Sequence, residues 1–494
     1  MSISRRTFLK SSFAAAAAGS SAIANAMPVM APQKFTDSYD IVVVGAGGAG
    51  LAAACEAVDK KLSVVVLESQ PFVGGSSTIC GGAYSAADTY LQREKGIKDN
   101  DELFVKDMMK TGQYQNDENL VRAFVKESKK QFDWLVAHGV KPNTVTTASG
   151  MSVPRAHGFN PSEVIKVMRD FAVKGGAKIL LNTAGDRLLC SSDGKKIVGV
   201  KAINKGKELF IEAKKGVLLS AGGFSRNPDM LAQYAPPMKK ASTIAGMGTN
   251  GSGIKMALAY GAEMIDTAYI KATYGFKVNP KSIARDFSII YYSGAIMVNS
   301  DGARFVNESL SYKLLGDRAL EQKDGKSWLI FDEKMRKHAS STNNWDKVLW
   351  SPVDEGKKDL DWLFQGNTIE EAAKKAGLDP AKVKATVDRY NANVAKGNDP
   401  DYGRNSLSSG FGKPEKIENG PFYIFPSVPV MIGTYCGLKV TPKAQVLDVF
   451  GNRINGLWAA GELMGGVHGA AYMTGTAFAK AQAFGRIAVR DIAG

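Results

Sequence analysis

The sequence has little cysteine, and it has no long hydrophobic run. Its four cysteines, Cys55, Cys80, Cys190 and Cys436, are too few and too widely spaced for a disulfide-stabilised scaffold. No CxxCH motif occurs, which excludes a c-type haem attached to these residues. No apolar stretch reaches the roughly 18 residues that a transmembrane helix needs, so no membrane span is predicted.

The composition is that of a globular chain with a large core. Of 494 residues, 44% are hydrophobic, 22% are charged and 52 are glycine. At roughly 100–200 residues per domain, this length predicts about three domain-sized units. The formal net charge is +15, but lysine and arginine are spread among acidic residues. We expect a solvated basic surface or a docking face for an acidic protein partner, and no nucleic-acid binding.

The N-terminus has the features of an export signal. Residues 4–10 read SRRTFLK, an alanine-rich stretch follows at 13–22, and residues 24–26 form an Ala-x-Ala cleavage site. This pattern predicts a twin-arginine signal peptide over residues 1–26. Twin-arginine export carries folded proteins, so we expect a protein that receives its cofactor in the cytoplasm and works in a bacterial periplasm.

A strand, helix and strand follow in the order that a dinucleotide-binding unit requires. Residues 39–44 form a short apolar strand, residues 51–60 read as a helix, and residues 63–67 form a second strand that ends before Glu68. The loop after the first strand reads Gly45, Ala46, Gly47, Gly48, Ala49, Gly50, which is a GxGxxG motif. The pattern predicts a Rossmann-like βαβ unit.

Each conserved position of this motif type has a physical role. Gly45 makes the tight turn, Gly47 lets a pyrophosphate approach the backbone, and Gly50 packs the helix on the strand. The helix N-terminus favours the negative charge of the pyrophosphate. Glu68 can accept both ribose hydroxyls, which completes a site for the adenosine part of a dinucleotide.

Three further elements indicate FAD rather than NAD. Small residues for a second pass along an extended dinucleotide follow Glu68: Gly74, Gly75, Ser76, Ser77, Gly81 and Gly82. Residues 216–224 read GVLLSAGGF, which places Ala221, Gly222 and Gly223 after a strand, and residues 456–462 read GLWAAGE, which ends in Glu462. These elements resemble the strand-ATGG and GLYAAGE elements of two-dinucleotide-binding flavoproteins.

From about Asp37 to Gly494 the chain resembles the fumarate reductase/succinate dehydrogenase flavoprotein family. The resemblance is to its soluble flavocytochrome c branch, which includes urocanate reductase and 3-ketosteroid dehydrogenases. It implies an α/β fold in which a Rossmann-like FAD-binding domain, residues 36–267 and 434–494, is split by an inserted α+β clamp domain over residues 268–433.

The resemblance also implies how the flavin is held. Ser252 stands where the family's TGDGIxMA helix start has Asp, and Thr476 and Ala477 belong to the C-terminal flavin motif. Membrane-bound relatives attach FAD covalently through a histidine, and Gly75 stands at the corresponding place here. We therefore expect noncovalent FAD.

The substrate positions depart from those of fumarate reductases. By alignment to the family, Thr273, Ser288, Tyr312, Ile432 and Tyr472 stand where His, Glu, Arg, His and Arg are usual, and Phe287 stands at a Thr position. The groups that clamp two carboxylates are therefore replaced by hydroxyls and apolar side chains. A buried dicarboxylate would be left with unpaired charge, so we expect neither fumarate nor succinate as the substrate.

Two tyrosines can take over the chemistry of C=C reduction. Tyr312 can donate or accept the proton, and Tyr472 with the backbone N–H of Gly475 can form an oxyanion hole for the activating carbonyl. This arrangement resembles the 3-ketosteroid dehydrogenases. The alternative for both tyrosines is a packing role. Phe287 and Ile432 are expected to support an aromatic or alicyclic substrate body.

Arg155 and His157 lie in an R-x-H element that relatives often carry near the flavin. They could bind a single carboxylate, or Arg155 could form a structural ion pair.

Two functions remain open from the sequence. The first is an exported reductase of an enoate or enone, supplied with electrons by a separate c-type cytochrome or quinol-linked donor. The second is a dehydrogenase that desaturates an apolar ketone such as a 3-ketosteroid. Export favours the first and the tyrosine pair favours the second.

Overall fold

The computed structural model describes residues 28–357, 359–407 and 412–494; the predicted signal peptide over residues 1–26 lies outside them. The strands are β1 (Val29–Met30), β2 (Asp37–Val44), β3 (Val64–Leu67), β4 (Ala83–Ser85), β5 (Thr144–Thr146), β6 (Ala156–Gly158), β7 (Lys178–Leu180), β8 (Thr183–Cys190), β9 (Ile197–Asn204), β10 (Lys207–Leu219), β11 (Ser242–Thr243), β12 (Met264–Ile265), β13 (Thr273–Lys277), β14 (Ile296–Val298), β15 (Ser327–Asp332), β16 (Phe364–Gly366), β17 (Phe422–Met431), β18 (Gly437–Leu438), β19 (Gln445–Leu447) and β20 (Arg453–Ala459).

The α-helices are α1 (Gly48–Asp59), α2 (Gly75–Ile79), α3 (Tyr90–Glu94), α4 (Asp101–Thr111), α5 (Glu118–Ala137), α6 (Pro161–Lys174), α7 (Pro228–Tyr234), α8 (Ser252–Leu258), α9 (Ile283–Asp286), α10 (Tyr312–Leu320), α11 (Glu333–Thr342), α12 (Asn344–Asp354), α13 (Ile369–Lys375), α14 (Pro380–Lys396) and α15 (Thr476–Ala493). Short 3-10 helices lie at Pro236–Lys240, Thr267–Tyr269, Ile290–Ser293, Lys323–Gly325 and Gly461–Leu463.

The first βαβ unit forms as the sequence predicts. β2 and β3 pair in parallel, from Ile41 opposite Val64 to Val44 opposite Leu67, and these residues are buried, as in a strand covered on both faces. The helix α1 begins at Gly48, before the predicted start, because the glycine loop itself forms the first helical turn. The predicted Rossmann-like α/β class is confirmed.

The larger sheet has nine strands and a parallel centre. β20, β10, β2, β3 and β7 lie side by side in this order, all parallel. The first half of β10 pairs antiparallel with β9, and the register of β10 on β2 shifts between Ala213 and Gly216. The carboxyl ends of the parallel strands therefore meet at one edge, where open α/β sheets bind their ligands.

The C-terminal helix α15 packs on α1, which places its N-terminus near the same edge. Gly485 is required for this approach, since a Cβ there would lie 2.2 Å from the carbonyl oxygen of Ala49. Arg486 and Arg490 of α15 each donate a 2.9 Å hydrogen bond to the Glu56 carboxylate of α1. These contacts fix the two helices whose N-termini face the cleft described below.

A second sheet of six strands is built around β17. This strand pairs antiparallel with β13, β15 and β16, and β14 extends the sheet beyond β15. β11 pairs in parallel with Val430 and Met431 at the end of β17. Two residues of the predicted FAD-binding domain, Ser242 and Thr243, thus join the sheet of the predicted clamp.

Buried apolar side chains form two clusters that follow the two sheets. Apart from Leu320, the first cluster runs from Ile41 to Ala272 and resumes at Met431, whereas the second lies between Tyr274 and Val430. These clusters support, as a proposal, the division into a split FAD-binding domain and an inserted clamp. Across the described residues, we find no helix with the length and apolarity that crossing a membrane demands.

Candidate active site

The glycine loop after β2 is shaped for close backbone packing with an open side. Gly45 has a φ of +106°, and a Cβ on it would lie 2.6 Å from the carbonyl oxygen of Ser220. A Cβ on Gly50 would lie 1.9 Å from the carbonyl oxygen of Gly45. At Gly47, by contrast, the nearest atom to an added Cβ is 3.9 Å away. Space therefore remains in front of the α1 N-terminus, where an anion binds favourably.

Glu68 is held in place at the end of β3. Its Oε2 accepts a 2.8 Å hydrogen bond from the Ala46 N–H, and its Oε1 accepts a 2.8 Å hydrogen bond from the Gln70 N–H. These bonds fix the carboxylate. Oε1 also accepts a 3.3 Å hydrogen bond from the Ser69 hydroxyl, so the further lone pair open to a ligand is on Oε2. Glu68 can therefore still accept a hydroxyl from a ligand in the cleft that it lines.

A cleft that is partly open to solvent runs from these loops to the second sheet. It is lined by most of the residues predicted to bind the cofactor: Gly45, Gly47, Gly48, Ala49, Glu68, Gly75, Ser76, Ser77, Gly81, Gly82, Ala221, Gly222, Ser252, Glu462 and Ala477. The remaining predicted cofactor residues, Ala46, Gly50, Gly74, Gly223 and Thr476, do not line it.

Those remaining residues support the lining instead. Ala46 donates to Glu68, and the Gly74 N–H donates a 2.8 Å hydrogen bond to the Ala46 carbonyl. The Thr476 hydroxyl donates a 2.7 Å hydrogen bond to the Met473 carbonyl. In the described structure these residues hold the lining in place, and their predicted part in cofactor binding stays a prediction.

Glu462 is buried where the cleft passes β20. Its Oε1 accepts hydrogen bonds from the N–H and the hydroxyl of Thr434, at 2.8 and 3.2 Å. Gly223 must be glycine here, since a Cβ would lie 2.2 Å from this oxygen. Burial raises the pKa of Glu462. Lys480, also in the lining, donates a 3.1 Å hydrogen bond to the Met464 carbonyl, and burial lowers its pKa to about 8.

The far end of the cleft is formed largely by aromatic rings. Phe276 and Phe287 pack with ring centroids 4.7 Å apart, and Trp345 meets Phe287 edge-on at 5.4 Å. Trp345 also reaches the opposite wall, because a Cβ on Gly81 would lie 3.1 Å from its Nε1. Tyr312 contacts Phe287 edge-on at 6.3 Å. This wall suits an aromatic or alicyclic group.

Tyr312 opens α10 and lines the cleft with a protonated hydroxyl. Its Oη lies 2.8 Å from the Thr474 hydroxyl, and the side chain is buried. Burial raises the pKa of Tyr312 well above its usual value, while the Thr474 hydrogen bond lowers it less. The phenol therefore keeps its proton at neutral pH and can donate it.

Tyr472 is fixed by the first turn of α15. The Gly475 N–H donates a 2.9 Å hydrogen bond to the Tyr472 hydroxyl oxygen, and the ring stacks on Tyr435 at 4.9 Å. Because this N–H is already used, the two predicted donors do not point at one substrate oxygen. The predicted oxyanion hole is corrected accordingly: the Tyr472 O–H remains as the donor, and Gly475 orients it.

Thr273 and Ile432 also line the far end, as predicted. The Thr273 hydroxyl is buried and has no hydrogen-bond partner among the described residues. In the described lining, the charged residues are Glu68, Glu462 and Lys480, and all three lie on the side of the nine-stranded sheet. The wall contributed by the second sheet is neutral.

Comparison with known proteins agrees with this geometry. The sequence matches the family described as FAD binding domain over residues 40–477. It is 32% identical to a probable fumarate reductase of Shewanella frigidimarina, over 92% of this chain and 74% of that protein. The chain belongs to this FAD binding domain family. It is also 30% identical to vinyl phenol reductase of Lactiplantibacillus plantarum, over 92% of this chain and 97% of that protein.

Two solved structures have the same fold as this chain. The open conformation of a flavocytochrome c3 fumarate reductase has a TM-score of 0.76 and 31% identity, over 93% of this chain and 78% of that one. A 3-ketosteroid-Δ4-(5α)-dehydrogenase from Rhodococcus jostii, in complex with 4-androstene-3,17-dione, has a TM-score of 0.77 and 25% identity. The match covers 95% of this chain and 100% of that one. The family resemblance in the motifs is confirmed.

The protein is therefore an FAD-dependent oxidoreductase of the family that acts on C=C bonds. The cleft fits FAD: the open side of Gly47 admits the pyrophosphate, and the Glu68 carboxylate has acceptor capacity for ribose hydroxyls. Glu462 and the N-terminus of α15 line the continuation of the cleft toward the tyrosines. No histidine is in the described lining, and noncovalent attachment stays a prediction.

Arg155 and His157 lie outside the cleft lining, so their predicted contact with substrate is corrected. Arg155 is fully buried and pairs with Asp99 at 2.6 Å and Asp107 at 2.8 Å. His157 lies 2.8 Å from the Thr89 hydroxyl, and burial lowers its pKa to about 4. Of the two alternatives for Arg155, the structure shows the ion pair.

Ser288 is the other predicted substrate residue that does not reach the cleft. It is fully buried, and its hydroxyl donates to the Asp346 carboxylate. Asp346 also accepts a 2.8 Å hydrogen bond from Trp350 Nε1. The reason is strand geometry: Ser288 follows Phe287 directly, so the two side chains point to opposite sides of an extended segment.

Sequence reasoning missed several residues of the site, and four of them bear on its chemistry. Trp345, Phe276 and Lys480 line the cleft. Lys313 lies just outside the cleft and is buried. Its Nζ is 4.5 Å from the Tyr435 ring centroid and donates a 3.1 Å hydrogen bond to the Lys271 carbonyl. Its position directly after Tyr312 was a usable signal. Trp345 had none, because α12 carries no motif.

Proposed function

We propose that the protein is an exported reductase of an activated C=C bond in an enoate or enone, and not of a dicarboxylate. The neutrality of the substrate wall carries this proposal. Thr273, Phe276, Phe287, Tyr312, Trp345 and Ile432 line that wall, and none of them is charged.

A dicarboxylate fits this wall poorly for a physical reason. Moving a carboxylate from water into a closed site costs several kcal/mol of binding free energy, unless a charged partner or several hydrogen bonds compensate. The lysine nearest in sequence to Thr273, Lys271, forms an ion pair with Asp317 and does not line the cleft. Tyr472 can donate to the one activating group of an enone or enoate, but the second-sheet wall offers a second carboxylate no charged partner in its described lining.

The tyrosines supply the proton and polarise the substrate. FAD, once bound and reduced with two electrons from the donor, would supply a hydride from N5 to one carbon of the C=C bond. Tyr312 donates the proton from its Oη to the other carbon, and its hydroxyl contact with Thr474 holds that oxygen in place. Tyr472 donates its O–H to the carbonyl oxygen on which negative charge develops. Phe287 and Ile432 support the substrate body.

Export and electron supply complete the proposal. Residues 4–10 carry the twin-arginine block, and the sequence has no CxxCH haem motif. In this proposal a separate c-type cytochrome or quinol-linked donor delivers the electrons. A net charge of +15, which becomes +12 when residues 1–26 with their three cationic side chains are removed, suits docking of an acidic donor. Changing Arg5 and Arg6 to Lys should block delivery to the periplasm; an active protein found there in this variant would overturn the export proposal.

An anaerobic assay separates reduction from desaturation. Reduced methyl viologen is mixed with the FAD-loaded enzyme and with cinnamates, enones or 3-ketosteroids, and viologen oxidation is followed at its absorbance maximum. We expect oxidation with at least one enoate or enone. No turnover with any of them, together with rapid dye reduction by saturated 3-ketosteroids, would contradict the proposal.

The second candidate is a dehydrogenase of an apolar ketone such as a 3-ketosteroid. The observation that favours it is the pair of tyrosines at the cleft. The chain also shares its fold with a 3-ketosteroid dehydrogenase. The rings of Tyr312 and Tyr472 lie 6.4 Å apart, which allows one substrate to meet both. The same assay, run with an oxidised acceptor dye and steroid substrates, tests it.

A further inference from the structure

The Thr273 hydroxyl differs from every other polar group at the cleft. Several buried side-chain atoms have no hydrogen-bond partner among the described residues, and Thr273 is the one member of that set whose residue lines the cleft. The residue is 2% exposed, so bulk water does not satisfy it. By contrast, the Tyr312 and Tyr472 hydroxyls both have partners within the protein. Because buried hydroxyls are nearly always bonded, the partner of Thr273 is expected from a ligand.

Thr273 also lies on a rigid element. It is the first residue of β13, and it pairs with Val430 of β17 near the end of that strand. Two residues further along β13, the backbone lies close to Ser288. Gly275 cannot carry a side chain there, since a Cβ would lie 2.2 Å from the Ser288 carbonyl oxygen. The hydroxyl is thus held by the sheet and is not on a mobile loop, which makes it suited to selecting a ligand atom by position.

The surroundings of Thr273 select an uncharged partner. The second-sheet wall has no charged residue in its described lining. Lys271 is paired with Asp317, and Lys313 lies beneath the Tyr435 ring, outside the cleft. A carboxylate at Thr273 would have one neutral hydroxyl as its partner, which does not compensate its desolvation. A neutral oxygen needs no more than that, because threonine can both donate and accept a hydrogen bond.

The same wall selects a flat ring. Phe276, Phe287 and Trp345 present faces and edges with centroid separations of 4.7 and 5.4 Å, which is the spacing of aromatic clusters. A further ring can join such a cluster edge-on or offset. The ring would lie in the cleft that Thr273 and Tyr472 both line.

We propose that Thr273 determines specificity by binding a neutral oxygen substituent, such as a phenol hydroxyl, on the aromatic ring of the substrate. This inference rests on the proposed function and names its substrate class: a ring-oxygenated aryl enoate or enone. In the reaction, Thr273 binds and orients the substrate and takes no part in proton or hydride transfer. A site built to bond a hydroxyl rejects the analogue without it, because the protein group is then left unpaired.

The test compares substrates that differ by one hydroxyl. The FAD-loaded enzyme is assayed with cinnamate and its three monohydroxy isomers, and with benzylideneacetone and its hydroxy isomers. Wild-type kcat/KM should favour the best hydroxy isomer by about tenfold, the size of one neutral hydrogen bond. Thr273→Val, which keeps the shape, should reduce that preference to within about twofold, because kcat/KM should fall more for the hydroxy isomer than for the parent compound. Thr273→Ser should retain the preference.

Binding distinguishes a failure of this inference from a failure of the proposed function. Dissociation constants for the same compounds are measured on the oxidised enzyme from the perturbation of the flavin spectrum. A hydroxyl preference that disappears in Thr273→Val supports the inference even if no compound is reduced, an outcome that would refute the proposed function alone. Equal losses for hydroxylated and parent compounds, or no wild-type preference in either measurement, would overturn the inference.

Discussion

The backbone N–H of Gly475 donates a 2.9 Å hydrogen bond to the hydroxyl oxygen of Tyr472. Gly475 is the N-cap of α15, with a φ of +82°, so the bond comes from the positive end of an 18-residue helix. The phenol oxygen is thereby fixed as an acceptor from the protein, and its proton remains for a ligand. Burial raises the pKa of Tyr472, so this proton is retained at neutral pH.

Tyr472→Phe should therefore lower kcat/KM by about 10²-fold or more, as loss of one donor to developing negative charge does in other enzymes. FAD content and melting temperature should change little. Tyr435→Phe is the matched control, since it alters the ring that stacks on Tyr472 by one hydroxyl. Equal losses in the two variants would reduce Tyr472 to a packing residue.

Tyr312→Phe should lose about 10²-fold or more in kcat, because it removes the proposed proton donor while it keeps the ring against Phe287. The control is Tyr291→Phe: Tyr291 is also buried, but its hydroxyl donates to the Tyr274 carbonyl at 3.1 Å and does not line the cleft. Solvent deuterium isotope effects on both variants provide the check. A wild-type kcat in Tyr312→Phe would show that another group donates the proton, and Tyr292 would be tested next.

The purified protein should release all its FAD on acid precipitation. Gly75 stands where covalent relatives are expected to have histidine, and no histidine is among the described cleft residues. Flavin fluorescence of the washed, denatured polypeptide is the measurement. Fluorescence that stays with the polypeptide would refute noncovalent attachment.

Lys313 makes the stability of the protein depend on pH. Burial lowers the pKa of this lysine to about 7, from a usual value near 10.5. Above pH 7 the unfolded chain binds a proton that the folded protein does not, so stability should rise with pH from about 7 toward 10.5. Below pH 7 both states are protonated, and burying the charge costs stability.

Lys313→Met should consequently raise the melting temperature at pH 6 and flatten its rise between pH 7 and 10. Burial also lowers the pKa of Lys480, to about 8. The melting temperature of the variant should therefore still rise with pH, but less steeply than that of the wild type. Thermal unfolding at saturating FAD measures both effects. A variant that is less stable at pH 6, or that has the wild-type slope, would contradict this account of Lys313.

The cofactor half of the site was predictable because its constraints are local. Gly45, Gly50 and Glu68 follow one another within a single βαβ unit, and close backbone packing alone requires both glycines. The motif therefore gave both the fold and the position of the dinucleotide. The early start of α1 was missed because strand and helix propensities say little about a glycine loop.

The substrate half depends on contacts between distant segments, and it was predicted only in part. Thr273, Phe287, Tyr312, Ile432 and Tyr472 do meet at one cleft, through a family pattern that carries their spacing. Ser288 does not, because an extended backbone turns adjacent side chains to opposite faces. The partners of Arg155, Asp99 and Asp107, are 56 and 48 residues away, which no local pattern reveals.

The central claim is that the substrate is not a dicarboxylate, and a single comparison tests it most directly. Steady-state kcat/KM is measured anaerobically with reduced methyl viologen for fumarate and for the best aryl enoate or enone. The neutral wall of Thr273, Phe287 and Ile432 predicts negligible turnover of fumarate. A fumarate kcat/KM within tenfold of the best substrate would contradict the account and would require a carboxylate clamp built from other residues.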